Sequence, residues 1–139
     1  MILIDTNVIS ELMRPAPAPV VLDWFAGREA TDLFLSAVSE AELRAGAAYL
    51  PAGRRREELV AAIDAMVEED FGGRVLPFDS AAAKSYAVIA AARRAAGQPI
   101  AEADCQIAAI ARTRGAAVAT RNVADFLGCR VEIIDPWKA

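Results

Sequence analysis

Apolar residues follow two alternating rhythms along the chain. Short, mostly apolar runs occur at Ile2-Leu3-Ile4, Leu33 to Val38, Val75 to Phe78, Ala116 to Thr120 and Val131 to Ile134. Such runs, with little polar alternation, predict strands buried on both faces. Between them apolar positions recur at helical spacing, and the breaks carry helix punctuation. Asp5-Thr6-Asn7 can cap a helix from Val8 to about Met13, which Pro15, Pro17 and Pro19 stop. The next begins at Pro19, with proline in its first turn, and closes at Gly27. Ser39 and Glu42 fit a capping box for a helix reaching about Tyr49. Another spans about Arg54 to Glu69, with Leu59, Ile63, Met66 and Val67 on one face and Gly72-Gly73 at its end. Asp79 or Ser80 opens an alanine-rich helix ending at Gly97, and Glu102 to Arg114 forms one closed by Gly115. Val123 to Phe126 has room for one helical turn.

Strands alternating with helices predict a three-layer α/β fold, a mostly parallel five-stranded sheet flanked by helices, with residues 1–139 as one domain. Ligands of such sheets bind beyond the carboxyl ends of the strands, where strand order reverses. Asp5 stands just past the first strand and Asp125 shortly after the fourth. The two face one crevice if those strands are neighbours, which periodicity alone does not decide.

Composition narrows the chemistry more than the fold. Hydrophobic residues make up 55% of the chain, enough for a sizeable core. The net charge of −4 argues against a protein that coats nucleic acid, though not against an enzyme holding a few phosphates through metal ions. Of 15 basic residues only Lys84 and Lys138 are lysine. There is no histidine, which excludes RNA hydrolysis by paired histidines, His-containing triads and His-ligated zinc. Hydrolytic chemistry must then rest on carboxylates, whose oxygens suit Mg²⁺ or Mn²⁺. Cys105 and Cys129 form no CxxC pair and read as reduced thiols, consistent with a cytoplasmic protein. No basic leader or uncharged apolar stretch of about 18 residues suggests secretion or a membrane span.

Each candidate acid has a structural reading beside a chemical one. Asp5 serves either as a helix cap or as a metal ligand in the crevice. Glu42 is either a capping-box partner or a crevice acid, and Glu40 competes with it because the two point to different faces. Asp104 lies three residues before Ile107, on the buried side of its helix, where a carboxylate needs a partner. Asp125 caps a short turn or joins the others, with Thr120 and Asn122 as nearby caps or water-holding groups. Clustered carboxylates raise one another's pKa unless a cation neutralises them. A divalent ion in such a cluster can activate water for in-line phosphodiester hydrolysis.

At these residues the chain resembles the PIN-domain family, and within it the VapC-like and FitB-like toxins of bacterial toxin–antitoxin pairs. Four segments carry the resemblance across nearly the whole length: ILIDTNVISELMRP with Asp5, SEAELRAG with Glu42, PIAEADCQIAAIA with Asp104, and TRNVADF with Asp125. The resemblance implies a Mg²⁺- or Mn²⁺-dependent endoribonuclease that cleaves RNA with metal-activated water. It implies Asp5 and Asp104 as metal ligands, with Glu42 and Asp125 completing the pocket. It also implies a homodimer and a cognate antitoxin whose peptide blocks the crevice. Thr6, Asn7, Thr120 and Asn122 are the expected supporting groups. Arg44, Arg112, Arg114 and Arg121 are candidates for RNA phosphates, whereas Arg54-Arg55-Arg56 and Arg93-Arg94 read as solvated helix faces. Two rival readings remain. One is a phosphotransferase with Asp5 as nucleophile, disfavoured by Asn7 where a second acid is usual and by the scarcity of lysine. The other is a non-catalytic PIN-like module that only binds.

Overall fold

The computed structural model describes residues Met1–Lys138. Five short strands, β1 (Ile2–Ile4), β2 (Leu33–Ser36), β3 (Val75–Leu76), β4 (Ala117–Ala119) and β5 (Ile133–Ile134), form one sheet in the order β3-β2-β1-β4-β5. Every pairing is parallel. The expected α/β class is therefore present, and β1 and β4 are central neighbours. The chain winds outward from β1 in one direction through β2 and β3, then returns to build β4 and β5 on the other side. Strand order thus reverses between β1 and β4, and a crevice opens at their carboxyl ends.

Among the described residues seven α-helices connect the strands: α1 (Thr6–Leu12), α2 (Pro19–Ala26), α3 (Ala37–Ala48), α4 (Arg54–Ala65), α5 (Ser80–Ala95), α6 (Glu102–Arg114) and α7 (Val123–Phe126). Inside the uniform apolar runs a two-residue period assigns side chains to opposite layers. Leu3 and Val118 join Ile89, Ile107 and Ile110 under α5 and α6. Ile4, Leu35 and Ala119 join Val8, Ile9, Val21 and Ile63 under α1 to α4. On α6 the buried positions include Ala108, Ala109 and Ala111, whose small side chains let the helix lie close to its neighbours.

Several boundaries differ from the sequence expectation for identifiable reasons. The second strand stops at Ser36 rather than Val38, because the Ser36 hydroxyl accepts the Ser39 amide at 2.9 Å and starts α3 early. Ser39 is therefore not the cap, and the Ser39–Glu42 capping box does not form. Two serines of equal capping chemistry stand three residues apart, and the earlier one captures the helix start. The first helix begins at Thr6, with Asp5 itself as its cap. The long fourth helix leaves α geometry after Ala65 and continues as a π turn, Met66–Asp70. Gly72 and Gly73, both at positive φ, then swing the chain into β3. Among the described residues no helix is long and apolar enough to cross a membrane.

A buried acid sets the corner between α1 and α2. Glu11 is only 6% exposed, and its carboxylate accepts the Ala18 amide at 3.1 Å and the Arg14 guanidinium at 3.2 Å. Ala18 is the cap of α2 and has no side chain to cap with; Glu11 reaches across from the preceding helix and holds Ala18's own amide. Glu11→Ala is expected to destabilise the chain by about 1–3 kcal/mol in urea unfolding. Glu11→Gln, which keeps an acceptor, should lose less.

Candidate active site

Asp5 is delivered by the sheet. Its amide extends the β1–β4 ladder by donating to the Ala119 carbonyl at 2.9 Å, which sets Asp5 beside Thr120. The carboxylate is 4% exposed, a costly position that three donors offset. Oδ1 accepts the Thr6 amide at 2.8 Å, while Oδ2 accepts the Thr120 hydroxyl at 2.8 Å and the Asn7 side-chain amide at 3.0 Å. Asn7 also ties the two loops together, since its Oδ1 accepts the Arg121 amide at 3.2 Å. Asn122 contributes through its backbone, donating to Thr120 Oγ1 at 3.0 Å. Burial nonetheless dominates and raises the Asp5 pKa, with the nearby Glu42 charge adding to it.

Glu42 reaches the crevice from α3. Thr6 Oγ1 lies 2.8 Å from Glu42 Oε1 and 2.9 Å from Ser39 Oγ. Thr6 is the donor at both contacts, its one hydroxyl proton shared between the Glu42 carboxylate and the Ser39 hydroxyl oxygen. Glu40 turns the other way and pairs with Arg44 at 2.7 Å. The choice between the two acids, open in the apolar pattern, is made by this helical phase. Arg44 also meets Asp64 at 2.7 Å, so its charge is spent on fastening α3 to α4 rather than held beside the crevice.

Asp104 stands in the first turn of α6, half-buried. Its carboxyl is pushed up to about 6 by desolvation first, then by the charges of Asp5, Asp125 and Glu42, with Arg93 acting in the opposite direction. All four candidate acids therefore act on one electrostatic neighbourhood. Asp125 is exposed on α7. Among the described residues no three acidic side chains are close enough to form a ready-made cation cage. The donors are nevertheless all oxygens, their mutual repulsion is offset only in part by Arg93, and one face is open to solvent. Such a set fits a hard divalent ion that keeps several waters.

The remaining basic candidates separate clearly. Arg121 lies near the crevice, its guanidinium 4.7 Å from the Trp137 ring centroid. Arg112 and Arg114 sit at the far end of α6 from Asp104, roughly 12–15 Å along a helix rising about 1.5 Å per residue, and Arg114 lies 3.9 Å from Asp79. Neither is placed to meet a phosphate in this crevice. Arg93 departs most from expectation: it is 8% exposed, not a solvated helix residue. Its spacing four residues after Ile89, on the buried stripe of α5, is the signal that sequence reasoning passed over. The roles of Ser36 and Ser39 were likewise hidden by the mistaken helix start.

Residues 2–126 match the PIN domain, and the chain belongs to the PIN-domain family. It is 44% identical to VapC ribonuclease Y4jK of Sinorhizobium fredii, covering 99% of both chains. It is 41% identical to Toxin FitB of Neisseria gonorrhoeae, again over 99% of each. The crystal structure of FitAcB from Neisseria gonorrhoeae superposes with a TM-score of 0.93 at 40% identity, with both chains covered completely.

The raised Asp104 pKa has a definite consequence for stability. The folded protein holds this proton up to about 6, whereas an ordinary aspartate releases it near 3.8. The group's contribution is therefore complete below the lower value and is lost as pH rises through the upper one. In chelator, Asp104→Asn should melt above the parent chain at pH 7.5, and this advantage should vanish by pH 4. Differential scanning calorimetry at the two pH values checks it; an advantage independent of pH would contradict the assignment.

Proposed function

We propose that this chain is the toxin of a type II toxin–antitoxin pair and acts as a Mg²⁺- or Mn²⁺-dependent endoribonuclease. The observation that carries this reading is the crevice at the carboxyl ends of β1 and β4, where Asp5 is held by Thr120 and Thr6 and Glu42 is tied to the same Thr6, with Asp104 at the start of α6 feeling both charges. The similarity to a VapC ribonuclease and to a toxin, each along nearly the full length, supports it.

The electrostatics explain why a cation is required. A phosphodiester is anionic, and a cluster of carboxylates repels it. Asp5 and Asp104 are the proposed ligands, with Glu42 and Asp125 completing the pocket directly or through water. When bound, the ion supplies Lewis acidity, neutralising phosphate charge and easing deprotonation of the attacking water. The protein's own contribution is orientation. Thr120, Asn7 and the Thr6 amide fix the Asp5 carboxylate, and Thr6 fixes Glu42. Asn122 braces Thr120 from behind. Arg121, steadied over Trp137, is the proposed phosphate contact.

An apolar groove supports the proposed antitoxin partner. A cavity of about 260 Å³ is lined by Leu12, Met13, Phe25, Met66 and Phe71. A second, of about 360 Å³, shares Met13 with it and reaches Thr6 and Glu42. A peptide passing from one cavity to the other would end at Glu42, which is how an antitoxin segment would block the crevice. A homodimer is part of the same proposal.

The test combines chemistry and binding. Purified chain with Mn²⁺ or Mg²⁺ should cut single-stranded RNA, and Asp5→Asn should abolish cleavage and relieve growth arrest while remaining folded. Mn²⁺ binding measured by calorimetry should be lost with Asp5→Asn and weakened about 10–100-fold by Thr120→Val. Undiminished toxicity of Asp5→Asn would rule out this mechanism. Phosphate trapped covalently on Asp5 would favour a phosphotransferase, and an inert chain that still binds RNA would favour a non-catalytic module.

A further inference from the structure

We infer that Arg93 is a positioning residue for the site, a buried cation at the end of α5 that fixes the Asp125 loop against the link between α5 and α6. Two segments meet on this one side chain. Its Nε donates to the Gln98 carbonyl at 2.7 Å, in the link that leads into α6 and Asp104. Its Nη1 donates to the carbonyls of Asp125 at 2.8 Å and Leu127 at 2.9 Å, and lies 3.8 Å from Cys129 Sγ.

The side chains of Phe126 and Cys129 pin the loop to the core, at 1% and 0% exposure, but its backbone is weakly bonded. The single turn α7 is followed by backbone bonds of 3.4 Å, from the Leu127 amide to Ala124, and 3.3 Å, from the Cys129 amide to Phe126. Leu127 is 56% exposed, and Gly128 and Arg130 both adopt positive φ. The contacts from Arg93 are shorter and charge-assisted, so they are the stronger restraint.

The charge of Arg93 is also unusual. It is 8% exposed, yet among the described residues no carboxylate lies within ion-pairing reach of it. A buried guanidinium is normally paired. Here carbonyl dipoles cradle it, and its field extends to Asp104. A purely structural brace between these loops needs hydrogen bonds but no net charge. A fixed cation behind an acidic cluster serves both purposes. It aims Asp125 by the backbone and partly offsets the repulsion among the acids.

The activity readout rests on the nuclease reading, whereas the exchange readout does not. Arg93→Lys keeps the charge but cannot span Gln98 and the Asp125 loop together. With far-UV circular dichroism unchanged, amide hydrogen exchange in metal-free protein should accelerate about tenfold across residues 124–129, the factor expected for one lost charge-assisted bond. Exchange in β1 and α1 should not change. On RNA with Mn²⁺, kcat should fall about 10–100-fold while KM stays nearly constant. In the unaltered chain, NMR should show a slowly exchanging Arg93 Nε–H. The inference is overturned if that proton averages rapidly, if exchange rises equally in β1, or if residues 124–129 do not change. If the unaltered chain cuts no RNA with either metal, the nuclease reading fails and the exchange experiment still decides what Arg93 holds.

Discussion

The parallel pairing of β1 with β4 is the constraint on which everything else depends. It brings together two chain segments more than a hundred residues apart, and it does so with a bond that extends beyond the strands themselves, from the Asp5 amide to the Ala119 carbonyl. That one added rung aligns Asp5 with Thr120. From there the side chains close the register: Thr120 and Asn7 both donate to Asp5, and Asn7 accepts from the backbone of Arg121. A slip of one residue would send Asp5 to the wrong layer and leave Thr120 without its acceptor.

The crevice is built against the grain of stability. Asp5 is buried and Asp104 partly so, and both carry raised proton affinity because water has been withdrawn and like charges stand near. The hydroxyl and amide donors around Asp5 recover part of that cost but leave Asp104 with little beyond the distant field of Arg93. The interior on either side of the sheet is, by contrast, conventional: aliphatic side chains packed in two layers with few polar intrusions. Stability is concentrated there, and the acids occupy the rim that this core can tolerate being strained.

Much of this was legible in the residues. The uniform runs announced parallel strands, the glycines and prolines marked the breaks, and the position of Asp104 relative to Ile107 announced a carboxylate on an inward face. The family resemblance selected Glu42 over Glu40, and the helical phase, with Glu40 paired to Arg44, agrees. What escaped was decided by competition between local equals or by distant contacts. Ser36 and Ser39 are interchangeable as caps until the strand fixes where the helix must start. Arg93 looked like half of an exposed pair because its partners are backbone carbonyls that no side-chain pattern reveals. Arg44 looked free because Asp64, which claims it, lies on another helix.

The outermost strands, β3 and β5, are each only two residues long. Beside β3, Arg74 folds back to donate to the carbonyls of Ala30, Leu33 and Asp70, occupying polar groups near the sheet margin. A margin this brief offers a passing polypeptide almost no ladder to join. The molecule is therefore guarded against edge-to-edge polymerisation even though more than half of its residues are hydrophobic. That safeguard belongs to the backbone and persists whether or not any partner shields the surface.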